Sequence, residues 1–361
     1  MTDRIPCAVL GASGYIGQHF VRLLADHPDF DLRLLAAGDR SLGRPLSDIW
    51  QLTDPAPSEF SETVLARVTP AGLARSGVRI VFSALPSGLA GAVETDCSRR
   101  GIAVFSNAAD HRMDPTVPLL VPEVNADHLH LLDGRPRSTA PLVTNANCST
   151  TGLVLGLAPV VPLLRPRAIH VATYQALSGA GYPGVPSLAA TDNVVPHIPN
   201  EEEKMTEETR RILGPRGARG VRPAGFDVLA NCARVPVRDG HLEAVSIEAT
   251  RRPSLAELEQ AWRQFDPLRS DGLPTAPHPP VERRPEPDRP QPVRDRWAGS
   301  SPRSRGMAAV VGRVRWEPPF LRLFLLSHNA VRGGAGGSVL NAELALRRGY
   351  LDAQSTGGRS P

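Results

Sequence analysis

Lysine is almost missing from this 361-residue chain: among 41 basic residues only Lys204 is a lysine, and all the others are arginine. So uniform a replacement marks a compositional bias. It leaves Lys204 either as a surviving surface residue or as a place where a compact ammonium cannot be exchanged for a planar guanidinium. Aromatic residues are scarce too, at 5%, and the basic residues are scattered rather than gathered in a stripe. No stacking platform for nucleic acid is therefore expected, despite a formal net charge of +4. That charge suits a small anionic ligand instead. No apolar run reaches the roughly 18 residues a membrane span needs. The N-terminus runs directly into a strand-like segment with no signal-peptide pattern, so the chain is expected to be cytoplasmic with no membrane partner. The four cysteines, Cys7, Cys97, Cys148 and Cys232, lack paired or metal-ligand spacing, and neither a disulfide framework nor a metal site is expected. With 41% hydrophobic and 22% charged residues, the length predicts about two soluble globular domains.

What is present begins with a nucleotide-binding pattern. Ile5 to Leu10 is a short apolar run suited to a buried parallel strand. It enters Gly11-Ala12-Ser13-Gly14-Tyr15-Ile16-Gly17, and apolar residues at helical spacing follow from Gln18 to Asp26. Strand, glycine turn and helix together let a pyrophosphate approach a helix N-terminus. Phe30 to Ala37 reads as a second strand, with Val78 to Ala84 and Ala103 to Ser106 as further strands of the same sheet. At the end of the second strand Asp39 favours a free ribose hydroxyl. Arg40, Ser41 and Arg44 favour a 2'-phosphate, and three such donors outweigh one carboxylate, so NADP is the expected cofactor.

The segment Thr144-Asn145-Ala146-Asn147-Cys148-Ser149-Thr150-Thr151-Gly152 puts one cysteine after a polar loop and before an apolar stretch, Leu153 to Val161, that can open as a helix. A helix start favours the thiolate and offers amides to an oxyanion, which makes Cys148 a candidate nucleophile. A free cysteine also serves as a small buried hydrophobe, and Cys148 by itself leaves both readings open.

Several blocks in this order and spacing resemble the aspartate-semialdehyde dehydrogenase family, in particular its archaeal and fungal branch. They are Gly11–Gly17, Ser106–Asp114, Asn145–Thr150, Gln175–Tyr182, Glu201–Lys204, Arg234–His241 and Ser327–Gly337. The resemblance spans nearly the whole chain. It implies an α/β protein with a Rossmann-type dinucleotide-binding domain over 1–147, completed by a C-terminal helix at about 329–361. An α+β catalytic and dimerisation domain would occupy 148–328, and the protein would assemble as a homodimer or homotetramer. The implied reaction is reductive dephosphorylation of L-aspartyl 4-phosphate to L-aspartate 4-semialdehyde with NADPH, through a thioester on Cys148. His241 would be the general acid/base, and Gln175 would orient the acyl group. Arg234 would clamp the carboxylate, Glu201 would meet the ammonium, Arg112 and Lys204 would bind phosphate, and Asn147 would bind substrate or phosphate. Gly11, Ser13, Gly14, Tyr15, Ile16, Gly17, Arg40, Ser41, Ser178, Gly179 and Asn329 would bind the cofactor.

Two positions depart from the family pattern. Ala146 stands where proline is usual, and Gly38 stands where a serine is common, which removes one 2'-phosphate donor. A related acyl group (malonyl-CoA or N-acetylglutamyl phosphate) and a non-catalytic role on the same fold are the competing readings. Further strands are predicted near Arg167–Gln175, Ala230–Pro236, Ala244–Thr250 and Ala308–Val314, and a helix over Ser338–Leu346. Leu273–Arg305, crowded with proline and arginine, reads as an extended arm reaching a neighbouring subunit or as a surface loop. Ser355–Pro361 reads as a frayed end.

Overall fold

The computed structural model describes residues 4–136, 138–217 and 220–351, so the expected frayed end lies outside the described residues. Short apolar runs form the first sheet: β1 (Ile5–Leu10), β2 (Phe30–Ala36), β3 (Ile80–Ser83), β4 (Ala103–Ser106), β5 (Leu119–Leu120) and β6 (Leu142–Asn145). All neighbours pair in parallel, in the order β2-β1-β3-β4-β6-β5. Such a sheet must be covered on both faces, and α1 (Tyr15–Leu24) and α2 (Ala90–Arg99) help to cover it. Helix α1 begins at Tyr15, three residues before the predicted start, because Gly14 takes the N-cap position in extended conformation.

The second sheet contains β7 (Pro166–Gln175), β10 (Asp227–Arg234), β11 (His241–Ala249), β12 (Val281–Arg284), β13 (Ala309–Glu317) and β14 (Phe320–Ser327); β8 (Arg216–Gly217) and β9 (Gly220–Val221) form a separate hairpin. Its order is β10-β7-β11-β14-β13-β12, with β7/β10 and β12/β13 parallel and the rest antiparallel. Burial alternates along β7: Ile169, Val171 and Thr173 point inward, whereas His170 and Tyr174 are exposed.

Helix α3 (Cys148–Leu157) leaves the end of β6 and packs on this second sheet, where Leu153, Leu155 and Leu157 share a core with Val171, Ile247, Leu323 and Leu325. On the same core lies α5 (Leu255–Gln264), which opens with a capping box from Ser254 and Glu257. Its buried Trp262 donates from Nε1 to the Gly156 carbonyl at 2.8 Å. Helix α4 (Glu201–Ile212) buries Glu201, Met205, Glu208 and Ile212 along one side. Helix α6 (Gly336–Arg347) returns to the first sheet, where Val339, Leu340 and Leu344 join Phe20, Phe82 and Phe105.

The proline-rich segment is not a projecting arm. It contributes the edge strand β12 and then folds back across both units: Arg303 pairs with Asp26 at 3.1 Å, and Trp297 lies against His328 at 4.4 Å between ring centroids. Its prolines keep it out of central strand positions, and β12 at the sheet margin is where such a sequence is tolerated.

Candidate active site

Three strand ends converge beside the start of α3. Register pairs Gln175 at the end of β7 with Arg234 at the end of β10, and antiparallel β11 begins with His241 next to Leu242, the partner of Tyr174. Asn147 caps α3 through Oδ1, which accepts the N–H groups of Ser149 (2.9 Å) and Thr150 (3.1 Å). Cys148 thus sits on the first turn of the helix, half-buried, with Sγ 3.2 Å from His241 Nε2. The helix starts several residues before the apolar stretch that suggested it, because the asparagine cap fixes its first turn.

The Ala176 N–H donates to His241 Nδ1 at 3.0 Å. A neutral ring accepting there carries its proton on Nε2, facing the sulfur. Burial, with Arg234 adding to it, pushes the His241 imidazole down to about 3. The thiol is pushed up to about 12 by burial and then by Glu201, against the opposing influence of Arg234, Arg112 and the Ser149 N–H. The first turn does favour the thiolate, through the Ser149 N–H, but burial outweighs it, and thiol and imidazole are both pushed toward their neutral forms.

A cleft of about 570 Å³ holds Cys148 together with Arg112, Asn147, Gln175, Glu201, Lys204 and Arg234. Glu201 is buried, not a solvated helix start: Oε1 accepts Asn147 Nδ2 at 2.9 Å and Gln175 Nε2 at 3.0 Å. Arg234 donates from Nη1 to the Ala176 carbonyl at 2.9 Å. Gly179 lies so close that a Cβ there would stand 2.5 Å from Arg234 Nη1 and 3.1 Å from His241 Cε1. Arg112 donates to Glu208 and to the Asn107 carbonyl, and its buried Nε has no partner. Lys204, half-buried one turn after Glu201, lines the same cleft.

Gly14, Tyr15, Ile16, Ser178, Gly179 and Asn329 line the same cleft. Asn329 accepts the Gly240 N–H at 2.9 Å and donates to Ser178 Oγ at 2.8 Å, which ties the two units together one residue from His241. The glycine turn fits a dinucleotide. Gly11 has φ +80°, a Cβ on it would meet the Ala84 carbonyl oxygen at 2.7 Å, and the N-terminus of α1 has no side-chain cap, so its amides remain available to a pyrophosphate. Gly17 packs against Gly11 and Ala12, and the Ser13 carbonyl accepts Gln18 Nε2 at 3.1 Å. Arg40 and Ser41 lie apart from the cleft, in the turn after β2. Asp39 beside them is exposed and pairs with the equally exposed Arg67.

Sequence reasoning missed Glu208, Asp239, Glu243, Gly333 and Arg67. Glu208 was detectable as one helical repeat beyond Lys204. Asp239, in the turn before His241, accepts the Tyr15 hydroxyl. Glu243 follows His241 by one strand repeat and is fully buried with neither oxygen partnered. Gly333 permits a close approach that no local pattern announces: a Cβ there would stand 2.7 Å from both Cα and Cβ of Cys148.

Residues 6–132 match the family model described as semialdehyde dehydrogenase, NAD binding domain, and residues 157–332 match semialdehyde dehydrogenase, dimerisation domain. An aspartate-semialdehyde dehydrogenase of Archaeoglobus fulgidus is 44% identical over 95% of this chain and 98% of its own length. One of Aspergillus fumigatus is 41% identical over 96% and 98%. Among solved structures, aspartate semialdehyde dehydrogenase with NADP from Candida albicans superposes with a TM-score of 0.84 at 33% identity, covering 96% of this chain and all of that one.

Proposed function

The chain belongs to the aspartate-semialdehyde dehydrogenase family, and from that premise we propose that it reduces L-aspartyl 4-phosphate to L-aspartate 4-semialdehyde with NADPH, through a thioester on Cys148. The observation that carries this reading is the 3.2 Å contact between Cys148 Sγ and His241 Nε2, in one cleft with Arg234, Glu201, Arg112 and Lys204. A guanidinium, a carboxylate and two further cations complement a substrate made of a carboxylate, an ammonium and an acyl phosphate.

The substrate's own charges also activate the thiol. For His241 Nε2 to take the thiol proton, the ring must carry its own proton on Nδ1, so Nδ1 gives up the Ala176 N–H and the ring becomes doubly protonated. Arg234 opposes the charged ring and Glu201 opposes the thiolate. A substrate carboxylate on Arg234 relieves the charged ring and a substrate ammonium beside Glu201 relieves the thiolate, while Arg112 and the Ser149 N–H still favour the thiolate once Arg234 is engaged, so the ion pair becomes accessible where the electrophile is already bound. Sγ then bonds to the acyl carbon as the carbon–oxygen bond to phosphate breaks, with Arg112 and Lys204 holding the departing anion. When bound, NADPH supplies the hydride that reduces the acyl carbon. Gly11 to Gly17 would hold its pyrophosphate, and Arg40 and Ser41 its 2'-phosphate. His241 returns its proton from Nε2 to Cys148 Sγ as the sulfur–carbon bond breaks and the aldehyde is released.

The competing acyl substrates suit this cleft less well: N-acetylglutamyl phosphate has no free ammonium for Glu201, and a malonyl thioester has none either. The open face of the second sheet, with Leu229 50% and Tyr174 41% exposed, supports assembly as a homodimer or as a tetramer of such dimers. No helix among the described residues is long and apolar enough to cross a membrane. The test is incubation with aspartate semialdehyde, inorganic phosphate and NADP+. NADPH formation that needs all three supports the reading, and its absence from a folded sample refutes it.

A further inference from the structure

Helix α4 carries Glu201, Lys204 and Glu208 at spacings that share one helical face. The first two line the cleft and have roles above; the third does not line it. Glu208 is 2% exposed. One of its oxygens accepts Arg112 Nη1 at 3.0 Å, and the other accepts the Asn147 N–H at 2.6 Å. These donors belong to different segments: Arg112 to the loop after β4, and Asn147 to the cap whose next residue is Cys148. Arg112 is otherwise fixed through Nη2 on the Asn107 carbonyl at 2.7 Å, while its buried Nε lacks an acceptor. An unpaired buried N–H of a cation invites an anion.

We propose that Glu208 is a positioning residue that ties the anion-binding Arg112 to the nucleophile's loop, so that filling the anion subsite and placing Cys148 Sγ are one event. The proposal rests on the reading of the cleft as an acyl-phosphate site. A carboxylate is suited to this post because it offers an acceptor to each donor. Glutamine at 208 keeps one acceptor and sets an NH2 against the other N–H. Aspartate keeps both acceptors on a shorter stem.

The experiment uses the full chain and inorganic phosphate as the probe. Alkylation of Cys148 by iodoacetamide is followed by mass spectrometry across a phosphate titration, for the wild type, Glu208→Gln, Glu208→Asp, Arg112→Gln and the double variant; Cys7, Cys97 and Cys232 are buried and serve as internal controls. The KM for phosphate and kcat are measured on the same samples. Phosphate should slow wild-type alkylation. Glu208→Gln should raise both the half-effective phosphate concentration and the phosphate KM by roughly tenfold, the effect of about one charged hydrogen bond. Glu208→Asp should recover part of this. In the Arg112→Gln background the Glu208→Gln change should add less than about twofold, as expected of residues acting through one another. Additive effects overturn the proposal. So does a Glu208→Gln protein that is less heat-stable but unaltered in its phosphate response, or a wild type whose alkylation ignores phosphate. A wild type without turnover refutes the acyl-phosphate reading instead, and the alkylation series still decides the role of Glu208.

Discussion

Alkylation of the ligand-free enzyme measures how strongly the site holds its nucleophile in reserve. Burial and Glu201 push the Cys148 thiol from an ordinary 9.0 to about 12, so at neutral pH the thiolate fraction falls roughly a thousandfold. A more basic thiolate is a better nucleophile, with a Brønsted slope of about 0.4–0.5, so the net slowing against an ordinary accessible thiol is roughly 40-fold. The signs for pH follow. His241, held at about 3 by burial and Arg234, stays neutral throughout the working range and contributes no step near 6.5. The logarithm of the alkylation rate should therefore climb with unit slope from pH 6 to 10 without a plateau. Glu201→Gln removes the anion that opposes the thiolate and should raise the rate at pH 7 by roughly two- to tenfold. Arg234→Gln removes a cation that favours it and should lower the rate. The assay is iodoacetamide labelling read by peptide mass spectrometry. A sigmoidal profile with a midpoint near 6 to 7, or a plateau above it, means a preformed thiolate–imidazolium pair and refutes this reasoning.

Gly333→Ala places a methyl where only 2.7 Å separates it from Cys148 Cα and Cβ; kcat should fall by roughly 100-fold as the nucleophile is displaced, with the far-ultraviolet circular dichroism unchanged. Arg40→Ser should raise the KM for NADP+ several-fold and leave that for NAD+ nearly unaltered, as comparative steady-state kinetics will reveal. Glu243 is fully buried without a partner, and burial, then Glu201, hold its carboxyl well above the usual range. Folding must keep it protonated, so its contribution is fully present below the ordinary value of 4.5 and is lost as pH rises above it. Thermal melts of Glu243→Gln should accordingly gain on the wild type between pH 5 and pH 8, and a constant difference across that range would contradict the assignment.

The parallel first sheet was legible because its strands are short apolar runs separated by turn residues, and the glycine turn marks where β1 hands over to α1. Cys148 and His241 were legible as chemistry, yet 93 residues separate them, and it is the packing of α3 against β11 that brings them together. β12 escaped notice because Val281–Arg284 is a short edge strand inside a charged, proline-rich stretch. β14 was hard to read from sequence because Phe320–Ser327 is an almost unbroken apolar run with no polar alternation to separate strand from helix, although in the fold Arg322 and Phe324 face outward while Leu321, Leu323 and Leu325 are buried. Glu208 and Gly333 act through tertiary approach, which periodicity cannot report. The net push on the Cys148 thiol was not legible for a related reason: a helix start is visible in sequence, whereas the extent of desolvation around a thiol is not.

The central claim is that Cys148 carries the acyl group. Intact-protein and peptide mass spectrometry of enzyme mixed with aspartate semialdehyde and NADP+ in the absence of phosphate tests it directly, because oxidation can then proceed to the thioester while phosphorolysis cannot. An aspartyl adduct on the Cys148 peptide, absent from Cys148→Ser and discharged by added phosphate, is the predicted result. Stoichiometric NADPH formation with no adduct on Cys148, or turnover that survives Cys148→Ser, would contradict the account.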